Sequence, residues 1–248
     1  MRSHGRERLE ARPVSIELSP IRHPEGSVSI RTGATWVICT ATVEDRQPPF
    51  LRGTSRGWIT AEYGMLPRSV KVRLPRDRVA GRGTEIERLI GRCLRSVVDL
   101  NGIPEQTVRI DCDVIDADGG TRTAAVTGGF VALALACRWM KREGRIRRIP
   151  IRDQVAGLGV GVVGGEVTCD LTHDEDAQAE VDMNIFLTGG GAYVAIHGDA
   201  EAAPFGGAAL EGMLAAARTG LVPLFRSQRQ ALGLDPDAPF DAARLEEA

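Results

Sequence analysis

Apolar positions along the chain recur with two periods, two and three-to-four, and the places where the period changes divide the sequence into elements. Residues 28–31 and 35–43 (TWVICTATV) alternate apolar with polar and flank Arg31-Thr32-Gly33-Ala34, which predicts a β-hairpin. Residues 57–64 and 69–74 read as irregular or short strands. The period then lengthens. Ile86, Leu89, Ile90, Cys93, Leu94, Val97 and Val98 fall on one helical face, so residues 85–100 are predicted to be a helix. Thr84-Glu85-Ile86-Glu87 has the form of a capping box at its start, and Asn101-Gly102 ends it. Residues 107–115 alternate as a strand, Asp118-Gly119-Gly120-Thr121 breaks the pattern, and residues 123–140 form a second, more buried helix.

The second half repeats this grammar loosely. Residues 154–163 and 166–171 read as strands around Gly164-Gly165. Residues 179–187 and 192–197 read as a hairpin around Gly189-Gly190-Gly191, and residues 208–232 as a final amphipathic helix. Strand hairpins followed by helices, twice over, predict a pseudo-duplicated α+β domain. Residues 1–235 are read as that single domain and residues 236–248 as a polar C-terminal tail.

Composition narrows the function classes. Of 248 residues, 43% are hydrophobic and 26% charged, values of a globular protein. No stretch approaches the run of about 20 apolar residues that spans a membrane, and the charged N-terminus has no apolar leader core. The expected location is the cytoplasm. Cys39, Cys93, Cys112, Cys137 and Cys169 show no C-x-x-C spacing, which argues against a disulfide framework or a zinc site and for buried apolar roles. The net charge is −2, so a nucleic-acid site, if present, is a local patch. With 4% aromatic residues, the backbone rather than stacked bases would be gripped.

Three segments could carry chemistry. Gly81-Arg82-Gly83-Thr84 and Gly119-Gly120-Thr121-Arg122 each place glycine, threonine and arginine at a predicted helix start. There, free N–H groups and the helix dipole favour an anion. Two such ends converging would cradle inorganic phosphate, and either by itself would be ordinary capping beside an exposed arginine. The acidic run 173–184, if extended, puts Glu180, Asp182 and Asn184 on one face with Val181, Met183 and Ile185 on the other. Asp176 shares the parity of Asp182. Such oxygens suit Mg²⁺, and equally a solvated acidic turn leading into an edge strand. Residues 68–82, with Arg68, Arg73 and Arg76, are basic enough to track a phosphate backbone. Gly159-Val160-Gly161-Val162-Val163-Gly164 fits a dinucleotide fingerprint, but the residues after it alternate like a strand where that fold needs a helix.

Residues 57–69, 85–92, 111–123 and 179–184 together resemble the bacterial ribonuclease PH family, and the similarity extends over residues 5–232. The resemblance implies a two-layer α+β fold with left-handed βαβ crossovers, against the usual hand, and a homohexameric ring built as a trimer of dimers. It implies phosphate-dependent 3′-to-5′ trimming of tRNA precursors and possibly other structured RNA, with release of nucleoside diphosphates. Phosphate would sit on Arg82, Gly120, Thr121 and Arg122. Mg²⁺ would sit on Asp176 and Asp182, and the RNA 3′ stem on Arg68, Arg73 and Arg76. Asp182, Arg82 and Arg122 would form the catalytic set, with Asp182 either a metal ligand or a general acid. Several positions depart from the family pattern: the segment from Arg76 to Arg82 is short, Gly83-Thr84 follows Arg82, Ala177 replaces a serine, and His197-Gly198-Asp199 stands near the last hairpin. The rival readings are a catalytically weak ring subunit that binds RNA or scaffolds an assembly, and, more remotely, a nucleotide-binding dehydrogenase.

Overall fold

The alternating stretches pair as their polarity demands. In the computed structural model, which describes residues 2, 5–75, 82–201 and 203–246 (Arg82 by its backbone only), β2 (Gly26–Thr32) and β3 (Thr35–Glu44) form the expected hairpin. Val37, Cys39 and Ala41 are fully buried on one face of β3, while the intervening residues are half-buried on the other. The first sheet runs β1-β2-β3-β5-β4, with β1 at Val14–Leu18, β4 at Trp58–Met65 and β5 at Thr107–Asp116. Among the described residues only β4 and β5 pair in parallel, and α1 (Arg82–Ser96) lies in the connection between them. The second sheet, β7-β6-β8-β9, is antiparallel throughout: β6 spans Val155–Val163, β7 Glu166–Cys169, β8 Val181–Thr188 and β9 Tyr193–Ala200.

The helix α2 (Thr121–Arg142) explains the depth of the core. Fifteen of its 22 residues are buried, so it has no solvent face to offer. It touches β2, β3 and β5 on one side and β6 and β8 on the other. A Cβ at Gly128 would lie 2.8 Å from Ile30 Cγ2, which is why this position brings α2 so near the first sheet. The opposite face of the second sheet is covered by α4 (Gly207–Ala231), where a Cβ at Gly220 would lie 2.5 Å from Leu158. The stack is therefore sheet, helices, sheet, helix, deeper than the two layers expected. Both α2 and α4 are long and apolar enough by composition to cross a membrane, contrary to the reading of the sequence. Packing accounts for the apolarity of α2, which is buried between the sheets, and α4 lays its own buried face on the second sheet.

Other boundaries moved for local reasons. α1 starts at Arg82, so Thr84 lies inside the helix and does not cap it, and the helix ends at Ser96. Val98 instead bridges Ile151, and the Asp99 side chain caps a short 3-10 turn at Leu100–Gly102. Residues 69–74 are bends and irregular loop rather than strand, with Leu74 N–H donating to Pro67 O at 2.8 Å. The C-terminal segment is not a solvated tail: Phe240 packs edge-on to Phe130 at 5.8 Å, Leu245 is 1% exposed, and Glu246 accepts from Ile149 N–H at 2.7 Å. Two apolar anchors among polar residues were enough to fold it back. The fingerprint-like glycine string is β6 itself, followed by a left-handed Gly164-Gly165 turn into β7, which removes the dehydrogenase reading. All five cysteines are buried thiols, and burial pushes Cys93, Cys137 and Cys169 up to about 12.

Candidate active site

Where β5 ends, the chain turns sharply through Gly119 (φ +74°) and Gly120 (φ +67°) into α2. Both residues sit in the left-handed region that glycine adopts without strain. A Cβ at Gly119 would lie 2.5 Å from Leu171 O, so the turn is pressed against the segment leading to α3 (His173–Asp176). Gly120 is the N-cap of α2 and supplies no side-chain cap. The first N–H groups of the helix are thus left for an external acceptor, at the positive end of the dipole. Thr121 Oγ1 accepts from Tyr63 OH at 2.9 Å, which orients the hydroxyl. Arg122 enters no hydrogen bond or salt bridge among the described residues, and it lines the same cleft.

Opposite stands the acidic arm. α3 opens with a capping box in which Thr172 accepts from Glu175 N–H and Glu175 from Thr172 N–H. Burial opposes ionisation of Glu175. The hydrogen bond from Arg2, the Thr172 N–H and the charges of Arg2 and Arg6 outweigh it and bring the carboxyl down to about 2. The next residue, Asp176, faces the cleft. Asp182 lies on β8, where the expected alternation holds. It shares the cleft with Asn184, while Val181, Met183 and Ile185 are buried in the core beneath α4. Glu180 precedes the strand and accepts from Gly165 N–H at 3.0 Å. Asp176 belongs to a helical turn, so strand parity does not place it; the fold of α3 does. Nor is β8 an edge strand, since it lies between β6 and β9.

Burial pushes Asp182 up to about 6, with the charges of Asp176, Glu201 and Asp199 adding to the rise and Arg122 opposing it. Gly161 and Asp199 are its cross-strand neighbours. Gly159, opposite Asn184, leaves the floor of the cleft bare: a Cβ there would meet only Asn184 Oδ1 at 3.9 Å. The cleft has a volume of about 1330 Å³ and gathers Gly119, Gly120, Thr121 and Arg122 against Asp174, Asp176, Asp182 and Asn184. Asp111 and Asp113 also line it, each pushed up by burial, with Glu62 adding to the rise at Asp111. So many carboxylates repel a polyanion unless arginines or a divalent cation offset them. Asp176 and Asp182, two hard-oxygen donors close enough to disfavour joint ionisation, form a donor set that fits Mg²⁺, which keeps most of its own waters. Among the described residues no group of three or more acidic, histidine or cysteine side chains forms a complete metal cage.

Five expected site residues therefore meet: Gly120, Thr121, Arg122, Asp176 and Asp182. The loop from residue 66 to 75 lines the cleft through Leu66, Pro67, Val70, Lys71, Val72, Leu74 and Pro75, while Arg68 and Arg73 are exposed on that loop and lie outside the lining. Arg76 lies outside the described residues, and for Arg82 only its position at the first residue of α1 is described. Tyr63 joins the site unannounced, since it carried no positional signal, and Asn184 lies on the face expected for it beside Asp182 though no role had been given to it. The Thr172-x-x-Glu175 spacing was the legible mark of α3.

The comparisons with known proteins bear on the family and the fold. The 3′ exoribonuclease family, domain 1, matches residues 10–138, and domain 2 of that family matches residues 153–220. A ribonuclease PH of Bacillus velezensis is 50% identical over 238 residues, covering 94% of this chain and 97% of that protein. One of Bacillus cereus (strain B4264) is 48% identical with the same coverage. The crystal structure of rice (Oryza sativa) Rrp46 superposes with a TM-score of 0.77 at 18% identity, covering 94% of this chain and 100% of that one, a likeness of fold.

Proposed function

The chain belongs to the ribonuclease PH family and is a phosphorolytic 3′ exoribonuclease of tRNA precursors, and on that premise we propose that its cleft aligns inorganic phosphate with the RNA 3′ end. One observation carries the reading: the uncapped start of α2, with Arg122, faces Asp176 and Asp182 across a single cleft. That assembly also speaks against the weak ring subunit, whose cleft would need neither the free helix start nor the paired carboxylates.

In this reading the N–H groups after Gly120, the Thr121 hydroxyl and the guanidinium of Arg122 hold phosphate, with Arg82 completing the grip from the start of α1. A phosphate oxygen attacks the last phosphorus and the bond to the 3′ oxygen breaks. The terminal nucleotide leaves as a nucleoside diphosphate, and the shortened RNA gains a 3′ hydroxyl. Catalysis comes from alignment and charge stabilisation, as phosphoryl transfer requires. Asp176 and Asp182 would hold Mg²⁺, which when bound supplies positive charge to the phosphoryl oxygens. The rise of Asp182 to about 6 favours a second role for that residue, protonating the leaving 3′ oxygen.

Arg68, Arg73 and Arg76 contact the RNA stem. The wider reading includes a cytoplasmic, homohexameric enzyme whose halves are a pseudo-duplication with left-handed crossovers.

Given a tRNA precursor, phosphate and Mg²⁺, chromatography will show nucleoside diphosphates forming in proportion to the phosphate supplied. Monophosphates, or turnover without phosphate, would mean hydrolysis and would overturn the mechanism. Replacing Arg68 and Arg73 together with alanine is expected to lower the slope of log affinity against log salt by about 1.5, as loss of two phosphate contacts should. An unchanged slope in a filter-binding titration would remove these arginines from the RNA path.

A further inference from the structure

The segment before β1 has no part in the mechanism as described. Before the chain enters β1, it runs across β7 and α3, tied there by Cys169 N–H donating to Arg8 O at 2.8 Å. Three arginines of this strap point inward. Arg12, 3% exposed, forks Asp170 through Nε (2.9 Å) and Nη2 (2.7 Å), and its backbone N–H adds a third bond at 2.7 Å. The same guanidinium donates to Asp118 O and to Gly119 O, the carbonyls of the anion turn. Arg2 forks Glu175 through Nε (2.9 Å) and Nη2 (2.8 Å). Between them Arg6, 8% exposed, donates to Asp170 O at 3.3 Å and lies 3.6 Å from Glu175, with its Nε unsatisfied.

We propose that this strap is the positioning device of the active site. Arg12 fixes the anion turn through Asp170 and the carbonyls of Asp118 and Gly119. Arg2 fixes the helical turn that carries Asp176 through Glu175. The strap thereby sets the separation between bound phosphate and the metal-holding carboxylates. The inference rests on the site reading above and deepens it.

Three physical points support it. A turn built on two left-handed glycines has little conformational preference of its own and needs outside constraint. This turn receives it from Arg12 and from Thr35, whose hydroxyl donates to Gly119 O at 2.6 Å. Asp170 holds φ +53°, costly for a non-glycine residue, and keeps it under the grip of Arg12 and Arg6. Buried ion pairs gain little net stability over apolar packing, so a chain of them is better explained by the geometry it enforces. A misplacement of about 1 Å at the reacting groups can cost about a hundredfold in rate, which is the scale at which such a clamp matters.

The experiment compares Arg12→Lys, which keeps the charge and loses the fork, with Arg2→Ala in the full-length protein. Phosphate binding is measured by calorimetry without RNA and Mn²⁺ binding by electron paramagnetic resonance, alongside kcat and the phosphate KM. For Arg12→Lys the phosphate Kd and KM should rise about tenfold and kcat at saturating phosphate should fall about ten- to a hundredfold, with Mn²⁺ affinity within twofold of the parent. For Arg2→Ala the Mn²⁺ affinity should fall severalfold and the phosphate Kd stay put. The proposal is overturned if neither constant moves, or if both move together in step with a fall in Tm in either variant. Should Arg12→Lys fail to fold, the separation of the two constants in Arg2→Ala decides the matter. Arg122→Ala serves as the control: undiminished phosphate binding there would refute the site itself, whereas lost binding there with Arg12→Lys and Arg2→Ala unmoved refutes the strap.

Discussion

Replacing Asp182 by asparagine is expected to lower kcat by about two to four orders of magnitude, the range that a lost general acid or charge-stabilising group costs, while making the metal-free fold more stable. The second half of that expectation separates an active-site carboxylate from a structural one. The folded-state carboxyl titrates at about 6, above its ordinary 3.8, because burial and the charges of Asp176, Glu201 and Asp199 disfavour the anion. The sign follows from linkage: what the protonated group contributes to stability is fully present below pH 3.8 and lost as pH rises through about 6. At pH 7.5 the native protein carries the penalty and the neutral asparagine does not. Allowing for partial exposure, the gain should be about 1–2 kcal/mol in chelator-treated protein. Denaturation by urea in the presence of EDTA reads this directly, and a destabilised Asp182→Asn would contradict the electrostatic account. Mn²⁺ binding then divides the two roles: retained affinity with lost kcat marks a proton donor, and lost affinity marks a ligand.

Arg122→Ala should raise the phosphate KM by about 10- to 100-fold, because a charge-assisted hydrogen bond to an oxyanion contributes about 1.5–3 kcal/mol. Affinity for a tRNA precursor should change little. The reason is positional: Arg122 sits in the first turn of α2 beside the uncapped Gly120, has no salt bridge among the described residues to break, and faces the carboxylate arm. Its removal takes a cation from the anion end and leaves the exposed Arg68 and Arg73 untouched. Steady-state kinetics over a phosphate series, with parallel RNA titrations, tests both halves. A collapse of RNA affinity with an unmoved phosphate KM would assign Arg122 to the RNA path.

Much of the fold was legible because its determinants are local. Period-two alternation located β2, β3 and β5 to β9, and period-3.6 patterning located α1, α2 and α4, each to within a few residues. What escaped had short or mixed signals. β1 is five residues long, α3 is a single turn, and the packing of residues 236–246 depends on Phe240 and Leu245 finding partners far away in the chain. The depth of the stack escaped too: a helix apolar on every side declares that it is buried, but not what lies on each of its faces.

The chemistry divides along the same line. The sequence by itself determined the ingredients: glycines and an arginine at a helix start, and acidic side chains alternating on a strand. Each follows from backbone freedom or periodicity over a few residues. Only the tertiary structure decided that Asp176 reaches the cleft through a capped turn rather than by strand parity. It alone decided that Arg12 would find Asp170, 158 residues away, and clamp the turn ahead of Arg122. A charge pair carries no period and no spacing rule, and which cation meets which anion is settled when packing brings distant segments together and makes burial without a partner too costly.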